Sequence, residues 1–189
     1  MKLTQEPRLQ TERLILRPFQ PSDAPRLAEI LSQKEIADNN LLFPHPYEQG
    51  FAERWIRRNK EKFKNGERVD FAIVLKDEHR LVGSVCLNLV PQHHNAELGI
   101  WIDTAYHGKG IAQEACRAVI AFGFRSLALN KIFAMMFRHN QAVQRLMQRL
   151  GMRYEGCRRQ HLKKGDSFMD IVDYGILKEE YENQTASNP

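Results

Sequence analysis

Residues 100–115 read Ile-Trp-Ile-Asp-Thr-Ala-Tyr-His-Gly-Lys-Gly-Ile-Ala-Gln-Glu-Ala. A β-branched and aromatic run ends at Asp103. A short turn follows, then a loop with Gly108 and Gly110, then an alanine-rich helical stretch. A strand that runs through a glycine loop into a helix start makes an anion cradle. Glycine lets backbone N–H groups turn inward, and a helix N-terminus carries a partial positive charge. The loop is too short for a Walker A pattern, no Lys-Ser or Lys-Thr follows it, and it lacks the three glycines of a dinucleotide fingerprint. The expected ligand is therefore a phosphate of a less common kind. A bare Gly-x-Gly also suits a helix that uses glycine only to turn, and the motif alone leaves both readings open.

A chain of 189 residues fits one domain with a sizeable core. No segment approaches the roughly 20 apolar residues of a membrane span. The start, Met-Lys-Leu-Thr-Gln-Glu-Pro-Arg, has no apolar signal core and carries an acid, so it does not read as secretory. Cys86, Cys116 and Cys157 lie far apart. They form neither a disulfide framework nor a zinc pattern, and they suit a reducing cytoplasm. The formal charge of +5 is clustered. One run holds Arg54, Arg57, Arg58, Lys60, Lys62 and Lys64; another region holds Arg145, Arg149, Arg153, Arg158, Arg159, Lys163 and Lys164. Such runs are commonly solvated faces, and the alternative is attraction of an anionic ligand or acidic partner. No DNA-reading motif occurs, which weighs against nucleic acid.

Residues 9–19 read as a strand, and a helix over 21–32 follows, with Ser22 as its cap and Leu27, Ile30 and Leu31 on its apolar face. Residues 39–46 form a loop with two prolines, of the kind that lines a site. A second helix spans 47–64 and stops near Asn65-Gly66. Strands over 69–75, 81–89 and 96–102 give an antiparallel meander, and Gly99 within the last predicts a bulge or a close backbone approach. Next come a helix over 110–127, a strand over 131–138, a helix over 141–150, and strands near 154–162 and 171–177. The order predicts an α/β (α+β) fold: a mixed central sheet of about seven strands with helices on both faces. One domain covers 1–181, and the polar tail 182–189 is expected to fray.

That order, with the glycine loop after the fourth strand, resembles the GNAT superfamily of N-acetyltransferases over nearly the whole chain. Thr11-Glu12-Arg13-Leu14 with Leu16-Arg17-Pro18 resembles the opening strand of the ribosomal-protein N-terminal acetyltransferase branch. Residues 96–102, Ala-Glu-Leu-Gly-Ile-Trp-Ile, resemble its fourth strand. His107-Gly108-Lys109-Gly110-Ile111-Ala112 resembles the acetyl-CoA loop, (Gln/Arg)-x-x-Gly-x-(Gly/Ala). Asn140-Gln141-Ala142, with Leu150-Gly151-Met152 and Glu155-Gly156, resembles the second CoA motif.

The resemblance implies that acetyl-CoA binds between the fourth and fifth strands, which splay apart near Gly99. The pantetheine arm would pair with backbone of Trp101 and Ile102 like an added strand. Backbone N–H groups of the segment His107, Gly108, Lys109, Gly110, Ile111 and Ala112 would hold the pyrophosphate. Asn140 belongs to the second motif, and Lys109 and Arg145 would add charge. Two departures stand out. His107 replaces the usual Gln or Arg. Val143 and Met147 stand where a Ser or Tyr would protonate the departing thiolate, and neither donates a proton. Tyr154 or a water is the substitute acid. A thiol pKa near 8.5 also makes the thiolate a tolerable leaving group by itself.

The nucleophile would be an acceptor amine, which attacks only when neutral, and Glu97 is the first candidate for its base. His93, His94 and His139 follow. His93-His94 lacks further ligands at useful spacing, so no metal is expected. The expected activity is acetyl transfer to a primary amine, foremost a protein N-terminal α-amine. A small-molecule amine and a non-catalytic CoA-binding module are the alternatives, and a homodimer is compatible with each. An open acceptor groove would favour a protein, and a closed pocket built from 39–46 a small molecule.

Overall fold

The computed structural model describes residues 3–40 and 43–186. The sheet contains β1 (Leu9–Gln10), β2 (Leu14–Arg17), β3 (Arg68–Leu75), β4 (Leu81–Val90), β5 (Asn95–Ile102), β6 (Lys131–Phe137), β7 (Arg153–Lys164) and β8 (Ser167–Leu177). The helices are α1 (Ala24–Leu31), α2 (Lys34–Asp38), α3 (Phe51–Lys64), α4 (Ile111–Ser126), α5 (Gln141–Arg149) and α6 (Lys178–Ala186). The strands lie in the order β1-β2-β3-β4-β5-β6-β8-β7. Neighbours are antiparallel except β5 and β6, which run parallel. The α/β reading and the splayed pair thus hold. The eighth strand arises because the expected opening strand breaks into β1 and β2, folded back on each other with Leu9 opposite Leu16.

Side chains alternate across β5 and sort the two layers. Ala96, Leu98 and Ile102 join a core with Ile111, Ala115, Val119 and Ile120 of α4 and Met147 of α5. Trp101 faces the opposite side and packs on a second core built from α1, α2 and α3. Gly99 is a close approach without a bulge. The β4–β5 register is unbroken, and a Cβ at Gly99 would meet the Cys86 sulfur at 2.7 Å.

Local chemistry moved several boundaries. Asp23, not Ser22, organises the start of α1: its carboxylate takes the Gln20 N–H at 2.7 Å and both Arg17 guanidinium nitrogens. The second long helix begins at Phe51 because Gly50, with φ +76°, breaks the chain direction before it. Residues 34–38 form the short α2 ahead of the expected loop, of which 41–42 lie outside the described residues. The tail is helical through Ala186 and docked, and 187–189 lie outside the described residues. Tyr181 stacks on Phe124 with ring centres 5.0 Å apart, Glu180 pairs with Arg153 at 3.0 Å, and the Gln184 amide donates to the Gly151 carbonyl. Composition hid this, since a polar helix held by one aromatic has no apolar periodicity.

Tyr181→Ala should therefore destabilise the fold by about 1–2 kcal/mol, read as a lowered urea midpoint. An unchanged midpoint would mean that α6 does not dock in solution.

Candidate active site

The β5–β6 pairing lasts three rungs: Asn95 with Lys131, Ala96 with Ile132, Glu97 with Phe133. Beyond Glu97 the strands diverge. In an antiparallel pair the backbone groups of alternate residues face the partner strand. The Asp103 N–H donates to the Val82 carbonyl at 2.8 Å, which sets that parity along β5. Glu97, Gly99 and Trp101 accordingly turn their backbone groups to β4, whereas Ile100 and Ile102 turn theirs into the opening. Trp101 is thus committed to the sheet through its backbone and to the α3 side through its ring, 6.4 Å from Trp55 and 6.0 Å from Phe43. The edge that faces the opening is Ile100 and Ile102, with Ile102 itself buried. His107 Nε2 lies 2.8 Å from the Ile102 carbonyl, so the ring carries its proton on Nε2 and ties the loop to the strand end.

Past β5 the loop turns through Gly108 (φ +74°) and Gly110 (φ +77°), a left-handed conformation that only glycine adopts readily. Gly110 precedes α4, whose first-turn N–H groups at Ile111 and Ala112 have no intrahelical acceptor. These donors lie at the positive helix end, where the sequence suggests an anion cradle. A buttress from the N-terminal strands holds it. Arg13 donates to the Lys109 carbonyl at 3.0 Å and pairs with Glu114 of α4 at 2.7 Å. Thr11 and the Arg13 N–H add hydrogen bonds to Glu114. Burial opposes ionisation of Glu114, but these bonds hold its carboxyl below the usual range. Lys109 sits 4.7 Å above the Tyr106 ring. Asn140 caps α5 by accepting the Val143 N–H at 3.2 Å, and Arg145 is exposed one turn later.

Glu97 stands at the vertex of the opening, on the face shared with α1–α3. The Asn88 amide donates to its carboxylate at 3.4 Å. The orientation of Asn88 is set by Arg68, which donates to its carbonyl oxygen at 2.6 Å while gripping Asp70 with two further bonds. Across the opening Arg158 grips Asp173 in the same two-bond manner. Asp70 and Asp173 are thus neutralised in place, and Glu97 faces an amide. Burial pushes the Glu97 carboxyl above the ordinary range, against the Asn88 bond and the fields of Arg68 and Arg158. Asn88, Arg68, Arg158 and Asp173 escaped sequence reasoning, although lone polar residues inside apolar strands were the available signal.

Tyr154 does not reach this opening. It lies on the outer strand β7, 57% exposed, with β8 and β6 between it and the cleft, and its ring packs edge-on against Tyr174. Met147 is fully buried, and Val143 packs against the same core. No side chain among these offers a proton to a thiolate. His93 and His94 occupy the β4–β5 turn, at the far end of β5 from the loop. His139 stacks on Phe137 where β6 ends. Among the described residues no group of three or more His, Cys, Asp or Glu converges as a metal site, and no helix is long and apolar enough to cross a membrane.

Similarity to known proteins places the chain in a family. Residues 13–153 match the acetyltransferase (GNAT) domain model. The chain is 32% identical over 173 residues to the uncharacterized N-acetyltransferase YnaD of Bacillus subtilis, covering 90% of this chain and 97% of that protein. It is 30% identical over 175 residues to the ribosomal protein uS5-alanine N-acetyltransferase of Escherichia coli, covering 87% and 88%. The crystal structure of a GNAT-family acetyltransferase from Bacillus anthracis superposes with a TM-score of 0.82 at 26% identity, covering 91% and 99%. RimL, a ribosomal L7/L12 α-N-protein acetyltransferase solved with coenzyme A, shares the fold with a TM-score of 0.81 at 19% identity, covering 88% and 95%. The chain belongs to the GNAT acetyltransferases and is an acyltransferase of that family.

The raised carboxyl of Glu97 has a consequence for stability. An acid whose pKa rises on folding holds its proton more tightly in the folded chain. Stability is then greatest below the ordinary carboxylate value and falls as pH climbs from there through the raised value. Glu97→Gln removes that loss, so the variant should melt higher than the parent at neutral pH, and the gain should vanish in acid. A lower melting temperature at neutral pH would show that Glu97 is ionised at no cost.

Proposed function

We infer that the chain transfers the acetyl group of acetyl-CoA to a primary amine, foremost the α-amine of an extended protein N-terminus, in the cytoplasm. The observation that carries this is the opening beyond Glu97. On one side it offers the strand edge of Ile100 and Ile102 and the N–H groups of the glycine loop. On the other it offers the half-buried carboxyl of Glu97, with a raised pKa. The uS5-alanine acetyltransferase relative supports the N-terminal acceptor, and the three free cysteines suit a reducing compartment.

The residues fit acetyl-CoA. A strand-like pantetheine arm matches Ile100 and Ile102, a pyrophosphate matches the donors from Gly108 to Ala112, and Lys109 and Arg145 would add charge at the outer phosphates. Acetyl-CoA supplies a thioester whose C–S bond breaks as the acyl carbon bonds to the amine nitrogen. Glu97 takes the amine proton, directly or through a water, and its raised pKa brings it nearer to the operating pH than an ordinary carboxylate. Asn88, aimed by Arg68, holds that carboxylate toward the opening. Val143 and Met147 give no proton, so the thiolate leaves as such, which its intrinsic acidity permits.

Acetyl-CoA at about 100 times its Kd should stabilise the fold by roughly 2.7 kcal/mol, and ATP or NAD should not. An equal shift with ATP would remove the coenzyme assignment. Gly110→Asp keeps a residue tolerant of the left-handed conformation but places a carboxylate in the cradle. Affinity for acetyl-CoA in calorimetry should drop at least about tenfold with folding retained. Glu97→Gln should lower kcat about 100-fold at neutral pH and recover at high pH, where the amine is already neutral. Full neutral-pH activity in that variant would return Glu97 to a structural role.

A further inference from the structure

α2 crosses the mouth of the opening and is tied down on both sides. At its start, the Gln33 side chain donates to Asp103 at 2.9 Å and accepts the Thr104 N–H at 3.2 Å, and Glu35 lies 3.5 Å from His107. All three partners stand where β5 gives way to the glycine loop. At its far end, the Lys164 ammonium donates to the Ala37 carbonyl and, at 3.0 Å, to the Asn40 carbonyl. Lys164 comes from the end of β7, and its ammonium also lies 5.4 Å above the ring of Phe137, where β6 ends. One tether is therefore on the β5 side and the other on the β6–β7 side.

The Lys164 contacts are specific. A helix end leaves its last carbonyls without partners, and a cation there satisfies them and meets the negative end of the helix. Here the capping cation arrives from 127 positions away in sequence. Partial withdrawal from water lowers its pKa, with Asp38 acting the other way and Lys34 adding to the lowering. Lys164 looks like part of a solvated basic run in sequence, and Lys163 beside it is exposed.

We propose that Lys164 is a specificity-determining residue: by fastening α2 across the mouth, it turns the acceptor cleft into a closed ring that admits a primary amine only at the tip of a slender, unbranched chain. Sheet, α2, Lys164 and the β7–β8 hairpin complete that ring. In this ring an acceptor threads beneath α2 toward Glu97 instead of lying across the mouth. The bound acceptor class is thus an extended N-terminus or a comparably thin amine, with bulk near the amine excluded. The proposal rests on the transferase reading above.

The test uses two peptides with the same α-amine, Ala-Gly-Gly-Gly-Gly and Ala-(adamantylglycine)-Gly-Gly-Gly, each assayed with acetyl-CoA. The parent should favour the slender peptide in kcat/KM. Lys164→Met keeps the side-chain stem and loses the cation. It should raise the bulky-to-slender ratio about tenfold, while the Kd for acetyl-CoA stays as in the parent. Lys164→Arg, with reach and charge restored, should return the ratio toward the parent value. If Lys164→Met does not fold, Gln33→Ala releases the opposite tether and should shift the ratio in the same direction. A folded Lys164→Met or Gln33→Ala with the parent ratio overturns the strap while leaving the transferase intact. A parent that binds acetyl-CoA yet acetylates neither peptide, nor any amine in a broad panel, overturns both.

Discussion

The short β5–β6 pairing is the constraint around which the rest of the molecule is arranged. A parallel pair that stops after Glu97 and Phe133 leaves backbone donors and acceptors of β5 facing a gap. An unsatisfied buried polar group costs about 1–3 kcal/mol, so such a gap persists only if the surroundings hold the strands apart. Both sides do so here. Trp101 wedges against Phe43 and Trp55 on one face. On the other, α4 packs on β4 and β5 and α5 on β6, through a common core. Two devices limit the cost at the mouth: His107 meets the Ile102 carbonyl, and Asp103, 3% exposed, gathers Arg26, Gln33 and the Ala105 N–H. The edge that is left at Ile100 and Ile102 suits a ligand with amide groups at strand spacing.

Charge follows the same logic. Ionised groups inside the fold are paired wherever their role is structural: Arg17 with Asp23, Arg68 with Asp70, Arg158 with Asp173. Glu97 receives only an amide bond and more distant fields. A chain selected for stability alone would place an apolar residue or an arginine partner at that rung. The departure coincides with the vertex of the opening, where the proposed function needs a proton acceptor.

The donor half of the site was legible in sequence because it is nearly continuous. Strand, glycine loop and helix start follow one another from Ile100 to Ala115, and local rules on glycine and helix ends suffice to read them. Even there parity misled: without the β4 register, Trp101 and Ile100 cannot be told apart as edge residues. The opening motif from Thr11 to Leu14 was legible as a resemblance, but its work was not. Thr11 and Arg13 brace Glu114 and the Lys109 carbonyl about a hundred positions later. Tyr154 failed for a topological reason. Sequence proximity to α5 suggested the site, whereas the strand order sends β7 to the outer edge with β8 between it and β6.

The acceptor half was illegible for the complementary reason. Its parts come from 33–40, Phe43, 68–70, 88, 97 and 158–173, and only the tertiary fold brings them together. Lys164 shows the difficulty best: within a basic run its charge carries no information, and its meaning lies in the carbonyls of Ala37 in α2 and of Asn40 just past it. This separation has a physical consequence. Residues on the acceptor side sit on the opposite face of β5 from those that hold α4 and the glycine loop. On the proposed function, a change at Lys164 or in the β7–β8 hairpin therefore reshapes what reaches Glu97 from the side away from the cradle. The two tethers of α2 are not equivalent in this respect. Gln33 engages Asp103 and Thr104, next to the loop itself, so loosening it also loosens the cradle's approach. Lys164 donates to the Ala37 and Asn40 carbonyls and lies over Phe137, so on the proposed strap acceptor choice is tuned from that end with the coenzyme side left in place.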